Sequence, residues 1–447
     1  MQLIKYAICI LMMALFLSAC SSDSAPINNT SNTKHESVTG IIPETTASKN
    51  TSEPYDPIRT GINVTFAETE DCYYWLPYFG DRIHYYEKAA GFSGPLCFKP
   101  ACRHDDQQCD AYVGIILCGS LVVREGMLYW IGSGIGDSEM ARKSYGIWRM
   151  KTDGTDRELF GQMDYDELNK YQYQVGYLWG DHYYIRGEAD TYYSDDTSEI
   201  AYRISFLRIP VSGGAARLLG EYTAMPAHSR LLLGPGAVYF WIYGNMVLED
   251  PVQESRLSIL KWDMVEEKTE IILDRQEMKA YTSEVRLHPD SDQGIIIAPG
   301  VFRSEDPDYP GDPMIYRLQD GKLLPWMDFS ESIFDRVYVM AEGLLLIHFR
   351  DEKYPGTDQS IHEYELLDMN GHKVSSGTIP VGFLDIDSDS QTSLSFRYFY
   401  GGIRQFFVEA DSWGEDGGNV FHLIRYDVMP DGLQETKLMQ YNSKLTD

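Results

Sequence analysis

Positive charge is scarce in this chain: 38 Lys and Arg stand against 67 Asp and Glu over 447 residues, a net charge of −29. Phosphate binding needs clustered Lys and Arg, so nucleic acid is excluded as a partner, and cations or basic partners suit the field better. Long apolar runs are also missing: after residue 20 no stretch holds 18 uninterrupted apolar residues, so no later segment reads as a membrane span. Catalytic signatures are thin. Gly91-Phe92-Ser93-Gly94 lacks the Gly-x-Ser-x-Gly spacing, and Gly132 to Gly136 lies between strands and opens no helix, so no dinucleotide site follows from it. His182, His348 and His422 lie in strand-like runs and read as packed. No catalytic residue is assigned.

What is present begins with the amino terminus. Lys5 is followed by an almost continuous apolar run from Ala7 to Leu17, and then by small residues, as in a secretory signal. Leu17-Ser18-Ala19-Cys20 resembles the lipobox of bacterial lipoproteins. That resemblance implies cleavage before Cys20, acylation of its sulfur and anchoring to the membrane from outside the cytoplasm. Acyl chains contribute about 0.8 kcal/mol per buried methylene, so two or three of them hold a protein firmly. Residues 1–19 therefore read as a signal peptide. Residues 20–58, rich in Ser, Thr, Asn and Pro, read as a flexible tether, and 59–447 as the folded part.

The folded part is periodic. Tyr74, Tyr129, Tyr184 and Tyr239 recur every 55 residues inside apolar runs, and the beat continues less strictly through Ile296, Leu346 and Phe407. A period of this size signals a propeller, a solenoid or an array. The second unit is plainest: a strand ending at Val123, the turn Arg124-Glu125-Gly126, a strand Met127–Ile131, a strand Gly146–Met150, the turn Thr152 to Thr155, and Glu158-Leu159-Phe160. The other units repeat this order, with a third strand such as Leu207-Arg208-Ile209, Tyr364-Glu365-Leu366 or Ile424-Arg425-Tyr426. Seven units of four strands predict an all-β, seven-bladed β-propeller of four-stranded blades. The aromatic second strands (Tyr73-Tyr74-Trp75, Leu128-Tyr129-Trp130, His182-Tyr183-Tyr184), with Ile147-Trp148-Arg149-Met150 and Asp153-Gly154, resemble TolB-like and DUF5050-like propellers of clostridial lipoproteins. That resemblance covers about residues 60–440 and implies a surface-exposed propeller of unassigned activity.

One local constellation breaks the repeat: Cys97-x4-Cys102-x-His104-x4-Cys109. Similar segments belong to the same group of lipoproteins. Three thiols and an imidazole suit a tetrahedral zinc shell, and a metal held by all four is structural because no coordination position stays open. Exported proteins, however, favour disulfides. With Cys20 acylated, Cys72, Cys97, Cys102, Cys109 and Cys118 remain, an odd set that cannot pair completely. The pattern thus admits one or two disulfides, a structural metal, or reduced thiols.

Recognition is expected on loops joining the second and third strands. These carry Tyr192, Tyr193, Asp195 and Asp196 between 186 and 203, Asp308 and Tyr309 between 301 and 313, Tyr354 between 351 and 360, and Trp413 and Asp416 between 411 and 419. Aromatic rings beside carboxylates suit sugars or basic peptides. Asp385, Asp387 and Asp389 begin like a calcium loop, but Ser390 and Phe396 break the EF-hand pattern, leaving only an irregular calcium site open. The reading is a membrane-anchored extracytoplasmic propeller binding a peptide, a protein or an envelope glycan. A carbohydrate-active lyase or hydrolase, or a structural component of an envelope assembly, are the alternatives.

Overall fold

The structure, a computed structural model, describes residues 65–77, 80–113, 121–133, 145–163, 172–192, 200–234, 236–245, 256–278, 284–287, 295–299, 311–384, 393–413 and 419–443. All belong to one compact unit, Asn50–Asp447. Among the described residues every regular element is a strand.

Blade 1 holds β1 (Phe66–Glu68), β2 (Cys72–Trp75), β3 (His84–Glu87) and β4 (Phe92–Pro95). Blade 2 holds β5 (Val122–Arg124), β6 (Met127–Ser133), β7 (Tyr145–Lys151) and β8 (Glu158–Met163). Blade 3 holds β9 (Gln172–Trp179), β10 (His182–Tyr192) and β11 (Ile200–Pro210), followed by the two-residue β12 (Gly213–Gly214) and the long β13 (Arg217–Gly234). Blade 4 continues with β14 (Ala237–Asn245), β15 (Arg256–Asp263) and β16 (Lys268–Glu277). Blade 5 holds β17 (Glu284–Leu287), β18 (Ile295–Ala298), β19 (Met314–Gln319) and β20 (Lys322–Asp328). Blade 6 holds β21 (Arg336–Val339), β22 (Gly343–Lys353), β23 (Ser360–Asp368) and β24 (Lys373–Thr378). Blade 7 holds β25 (Ser393–Gly401), β26 (Gln405–Trp413), β27 (Asn419–Met429) and β28 (Gly432–Ser443). The molecule is an all-β, seven-bladed propeller.

Period-2 alternation explains why both faces of a blade are apolar. Along β26, Phe406, Val408 and Ala410 pack towards blade 6, whereas Phe407 packs on blade 1. Along β18, Ile295 and Ile297 face blade 4 while Ile296 and Ala298 face blade 6. A strand covered on both sides must be apolar at every position, which is why these runs read as continuous rather than alternating.

All seven residues of the beat fall in the second strand of their blade. Directly opposite them on the third strand stand Arg149, Arg208, Lys261, Arg317, Glu365 and Arg425 in blades 2 to 7. The basic ones serve packing: Arg208 reaches Glu267 of blade 4 at 3.1 Å, and Arg317 lies 4.0 Å from the Trp326 ring centroid. Blade 6 is out of step. Leu346 packs towards blade 5, and its neighbours Leu345 and Ile347 take the face towards blade 7. A slip of one residue turns a side chain to the other face, and in this blade the acidic Glu365 stands opposite Leu346.

Two connections depart from the simple repeat. β13 pairs with β11 through Ala224 and with β14 from Met225, so one strand is both the outer strand of blade 3 and the inner strand of blade 4. β12 pairs in parallel with β8, and there a Cβ on Gly213 would stand 2.5 Å from the Gln162 carbonyl, so only glycine permits the approach. Strands also run further into the acidic segments than expected. Arg186 to Tyr192 belong to β10, Ile200 to Arg203 to β11, and Asp351 to Lys353 to β22. A hairpin satisfies its own backbone hydrogen bonds whatever its side chains carry, so polarity there did not mark a loop.

Among the described residues the ring closes without strand exchange, since β1–β4 and β25–β28 are each complete from one stretch of chain. Phe66, Tyr73 and Trp75 of blade 1 pack on Tyr400, Phe407, Phe421, Leu423, Leu438 and Met439 of blade 7.

Candidate metal centre and loop face

Cys97 lies two residues past the end of β4, and its N–H donates to the Pro95 carbonyl at 2.7 Å. A first turn is closed by the Cys102 N–H to Lys99 O at 3.2 Å, and a second by the Cys109 N–H to Asp106 O at 3.4 Å. Ala101 inside the first turn and His104 just after it have φ of 62° and 59°, a left-handed conformation that L-residues adopt only when surroundings hold it. These turns bring the sulfurs of Cys97, Cys102 and Cys109 and a ring nitrogen of His104 within 4.8 Å of one another. His104 Nδ1 lies 3.3 Å from Cys109 Sγ. Cys97 and Cys109 are buried, the other two half-buried. Burial opposes the Cys97 thiolate, but N–H groups of Lys99 and Asp110 and the thiols of Cys102 and Cys109 outweigh it, and its pKa is lowered. Burial, with Cys97 beside it, pushes the Cys109 thiol up to about 12.

Neighbours hold this segment in place. Lys99 Nζ pairs with Asp110 at 2.6 Å, and Arg157, just before β8, donates to the Cys109 and Asp110 carbonyls at 2.7 and 3.1 Å. The Ile83 N–H donates to the Ala111 carbonyl at 2.9 Å and the Val113 N–H to the Asp81 carbonyl at 2.8 Å, which returns the chain to blade 1. The cluster thus caps the core that blades 1 and 2 share. Cys72 is not part of it; it carries a free thiol in β2, where its N–H bonds Thr69 Oγ1 at 3.0 Å. Cys20 and Cys118 lie outside the described residues.

The expected recognition residues are mostly beyond description. Tyr193, Asp195, Asp196, Asp308, Tyr309 and Asp416, and the calcium-like Asp385, Asp387 and Asp389, lie outside the described residues. Tyr192 ends β10 opposite Ile200. Tyr354 is corrected to a core residue. It is 4% exposed, donates to Ile379 O at 2.8 Å and accepts from the His362 N–H at 3.0 Å. The hairpin folds its ring inward because the hydroxyl satisfies two buried backbone groups. Trp413 is half-buried at the end of β26, with the Arg397 guanidinium 6.0 Å from its ring.

A second polar constellation escaped the sequence reading. On the blade 7 face that meets blade 1, Glu409 and Asp411 follow Phe407 at two-residue steps. Thr65 Oγ1 donates to Glu409 Oε1 at 2.8 Å across the ring closure. Arg397 grips Asp411 with two N–H groups, Nη2 to Oδ2 at 2.9 Å. Glu409 is 3% exposed, and its burial raises its pKa to about 7 against the opposing pull of Thr65 and Arg397. The legible signal was position. Two residues after the beat, blades 1, 2, 4 and 5 carry Leu76, Ile131, Trp241 and Ala298, whereas blades 3 and 6 carry Arg186 and His348, so the carboxylate at 409 was only weakly marked.

No family model matches the chain, and no curated protein matches its sequence. Solved structures of similar fold include the β-propeller domain of the trilobed protease from Pyrococcus furiosus, at 9% identity over 84% of this chain and 94% of that one, TM-score 0.42. A PL25 ulvan lyase is 13% identical over 84% and 94%, TM-score 0.46. Puromycin hydrolase is 12% identical over 89% of this chain and 57% of its own, TM-score 0.43. The assignment to the propeller class rests on the strand order above and not on these likenesses.

Proposed function

We propose that the chain is an extracytoplasmic lipoprotein of the TolB-like and DUF5050-like kind. Acylated Cys20 and the tether to about residue 58 hold it to the membrane, and its propeller binds a peptide, a protein or an envelope glycan without turning it over. The observation that carries the binding reading is the projection of second- and third-strand hairpins beyond their inner strands. In blade 6, β21 pairs with β22 only as far as Ile347, yet β22 runs on to an exposed Asp351-Glu352-Lys353 tip. In blade 3, β10 and β11 stay paired out to Tyr192 and Ile200, beyond the last β9 pair at Glu188. Such ribbons on a rigid ring are suited to recognition.

A glycan and peptide array probed with the chain tests this. Retention of a ligand without released product supports it, and product release sinks it in favour of a lyase or hydrolase. Anchoring has its own test: Cys20→Ala should move the chain from the membrane fraction to the soluble one. A variant that stays with the membrane overturns the anchor.

A further inference from the structure

We propose that Cys97, Cys102, His104 and Cys109 bind one zinc ion, which clips the crossing between blades 1 and 2. A tetrahedral zinc with sulfur at about 2.3 Å and nitrogen at about 2.0 Å sets its ligand atoms roughly 3.5–3.8 Å apart. The four ligand atoms here already lie within 4.8 Å of one another, so closure on a common centre is a matter of about an ångström. A disulfide would use two of the sulfurs and give the third sulfur and the imidazole no role. Convergence of all four groups is what a metal requires. Backbone N–H groups of Lys99 and Asp110 are directed at the Cys97 sulfur and that of Ala111 at Cys109, the contacts that metal-bound thiolates accept.

Charge agrees with this shell. Three thiolates on a divalent ion leave one negative charge; Arg157, which donates to the Cys109 carbonyl, is the cation set against the segment, while Lys99 is matched by Asp110. A structural need is present too. From Leu96 to Val113 the described crossing contains no blade strand, only the bridge of Arg82 to Tyr112. A metal supplies there the cross-linking that sheet hydrogen bonds supply elsewhere in the ring. Four protein ligands leave no open position, so the ion is structural.

The test begins with the full chain purified without chelator. Elemental analysis should find one zinc per chain, and X-ray absorption should show three sulfur and one nitrogen neighbours. Cys97→Ser and Cys109→Ser should cut the zinc to about a tenth or less, whereas Cys72→Ser keeps all of it. Should the serine variants fail to fold, the absorption spectrum of the natural chain still decides, as do thiolate-to-metal charge-transfer bands on loading with Co2+. A chain free of metal, lighter by a pair of hydrogens and with a disulfide mapped among Cys97, Cys102 and Cys109, would overturn the proposal. Full zinc retention by the Cys97→Ser/Cys109→Ser double variant, or an iron or copper centre in the same shell, would do so as well.

Discussion

Blade 1 is held on its two sides by opposite means. Towards blade 2 the chain is continuous, and the thiols and imidazole gather over the shared core of Leu96, Leu128 and Trp130. Towards blade 7, among the described residues, no strand is exchanged between the ends of the ring. That seam relies on packed rings, with Phe407 tilted against Phe66 at 4.8 Å and edge-on to Tyr73 at 5.5 Å, and on buried polar contacts such as Thr65 to Glu409. The difference teaches how a ring of blades divides its tasks. Rings and buried polar contacts join the blades where both present aromatic faces, and the thiols and imidazole gather where a crossing has little sheet to lean on.

Four substitutions break or sharpen this comparison. The largest effect is expected at the centre of the seam. Phe407→Ala removes a fully buried ring from the contact of blades 7 and 1 and should cost about 3–5 kcal/mol in denaturant unfolding. Hydrogen exchange should then rise first in β1 and β28 and leave the amides of Ile83 and Val113 protected. Equal loss on both sides of blade 1 would mean that the two junctions are not independent.

Next comes Arg397→Met, which strands the carboxylate of Asp411, a side chain with no exposure, and should cost about 3 kcal/mol or somewhat more. The double variant Arg397→Met/Asp411→Leu should recover most of that loss, because it removes the unpaired charge as well as its partner. Unfolding midpoints of the two variants, measured side by side, read the difference.

Glu409→Gln acts through pH. The folded carboxyl holds its proton up to about 7, against an ordinary 4.5, because burial disfavours its charge. The folded state therefore binds the proton more tightly than the unfolded chain. Stability from this group is full below 4.5, declines as pH rises between the two values, and is gone above about 7. Glutamine cannot ionise, so the variant should be more stable than the natural chain at pH 8 by on the order of 2 kcal/mol. Near pH 4 the two should agree. Melting curves across that range test the sign, and equal slopes with pH would show that Glu409 does not titrate at the seam.

The smallest effect belongs to Tyr441→Phe. Its hydroxyl reaches Asp81 across the seam at a long 3.4 Å, so removal should change stability by no more than about 0.5 kcal/mol. A loss near that of Phe407→Ala would show that polar contacts, not rings, close the seam.

Much of the fold was legible because its signal is local. The beat of Tyr74, Tyr129, Tyr184, Tyr239, Ile296, Leu346 and Phe407 marks the second strand of every blade. The turn at Glu125-Gly126 shows in residue type, since its φ of 51° and 74° form a hairpin turn that welcomes glycine. Leu346 shows the limit: the beat found its strand and missed its face, because a slip of one residue leaves composition unchanged. β13 was illegible as a strand shared by two blades, since an 18-residue extended run carries no mark of where its partner changes. Tyr354 misled because an aromatic among charged residues looks exposed until its hydroxyl is seen bonding Ile379 and His362.

By itself the sequence determined the number of blades, the strands within them and the spacing of the cysteine and histidine residues. These depend on side-chain periodicity and turn chemistry within a few residues. Tertiary structure alone decided that the four ligand atoms converge and that blades 1 and 7 close by packing. It also decided that Glu409 meets Thr65, a residue 344 positions away. Contacts of that kind are created when the ring closes. Burial there turns an ordinary carboxylate into one that keeps its proton to about pH 7, and no window of neighbouring residues carries that information.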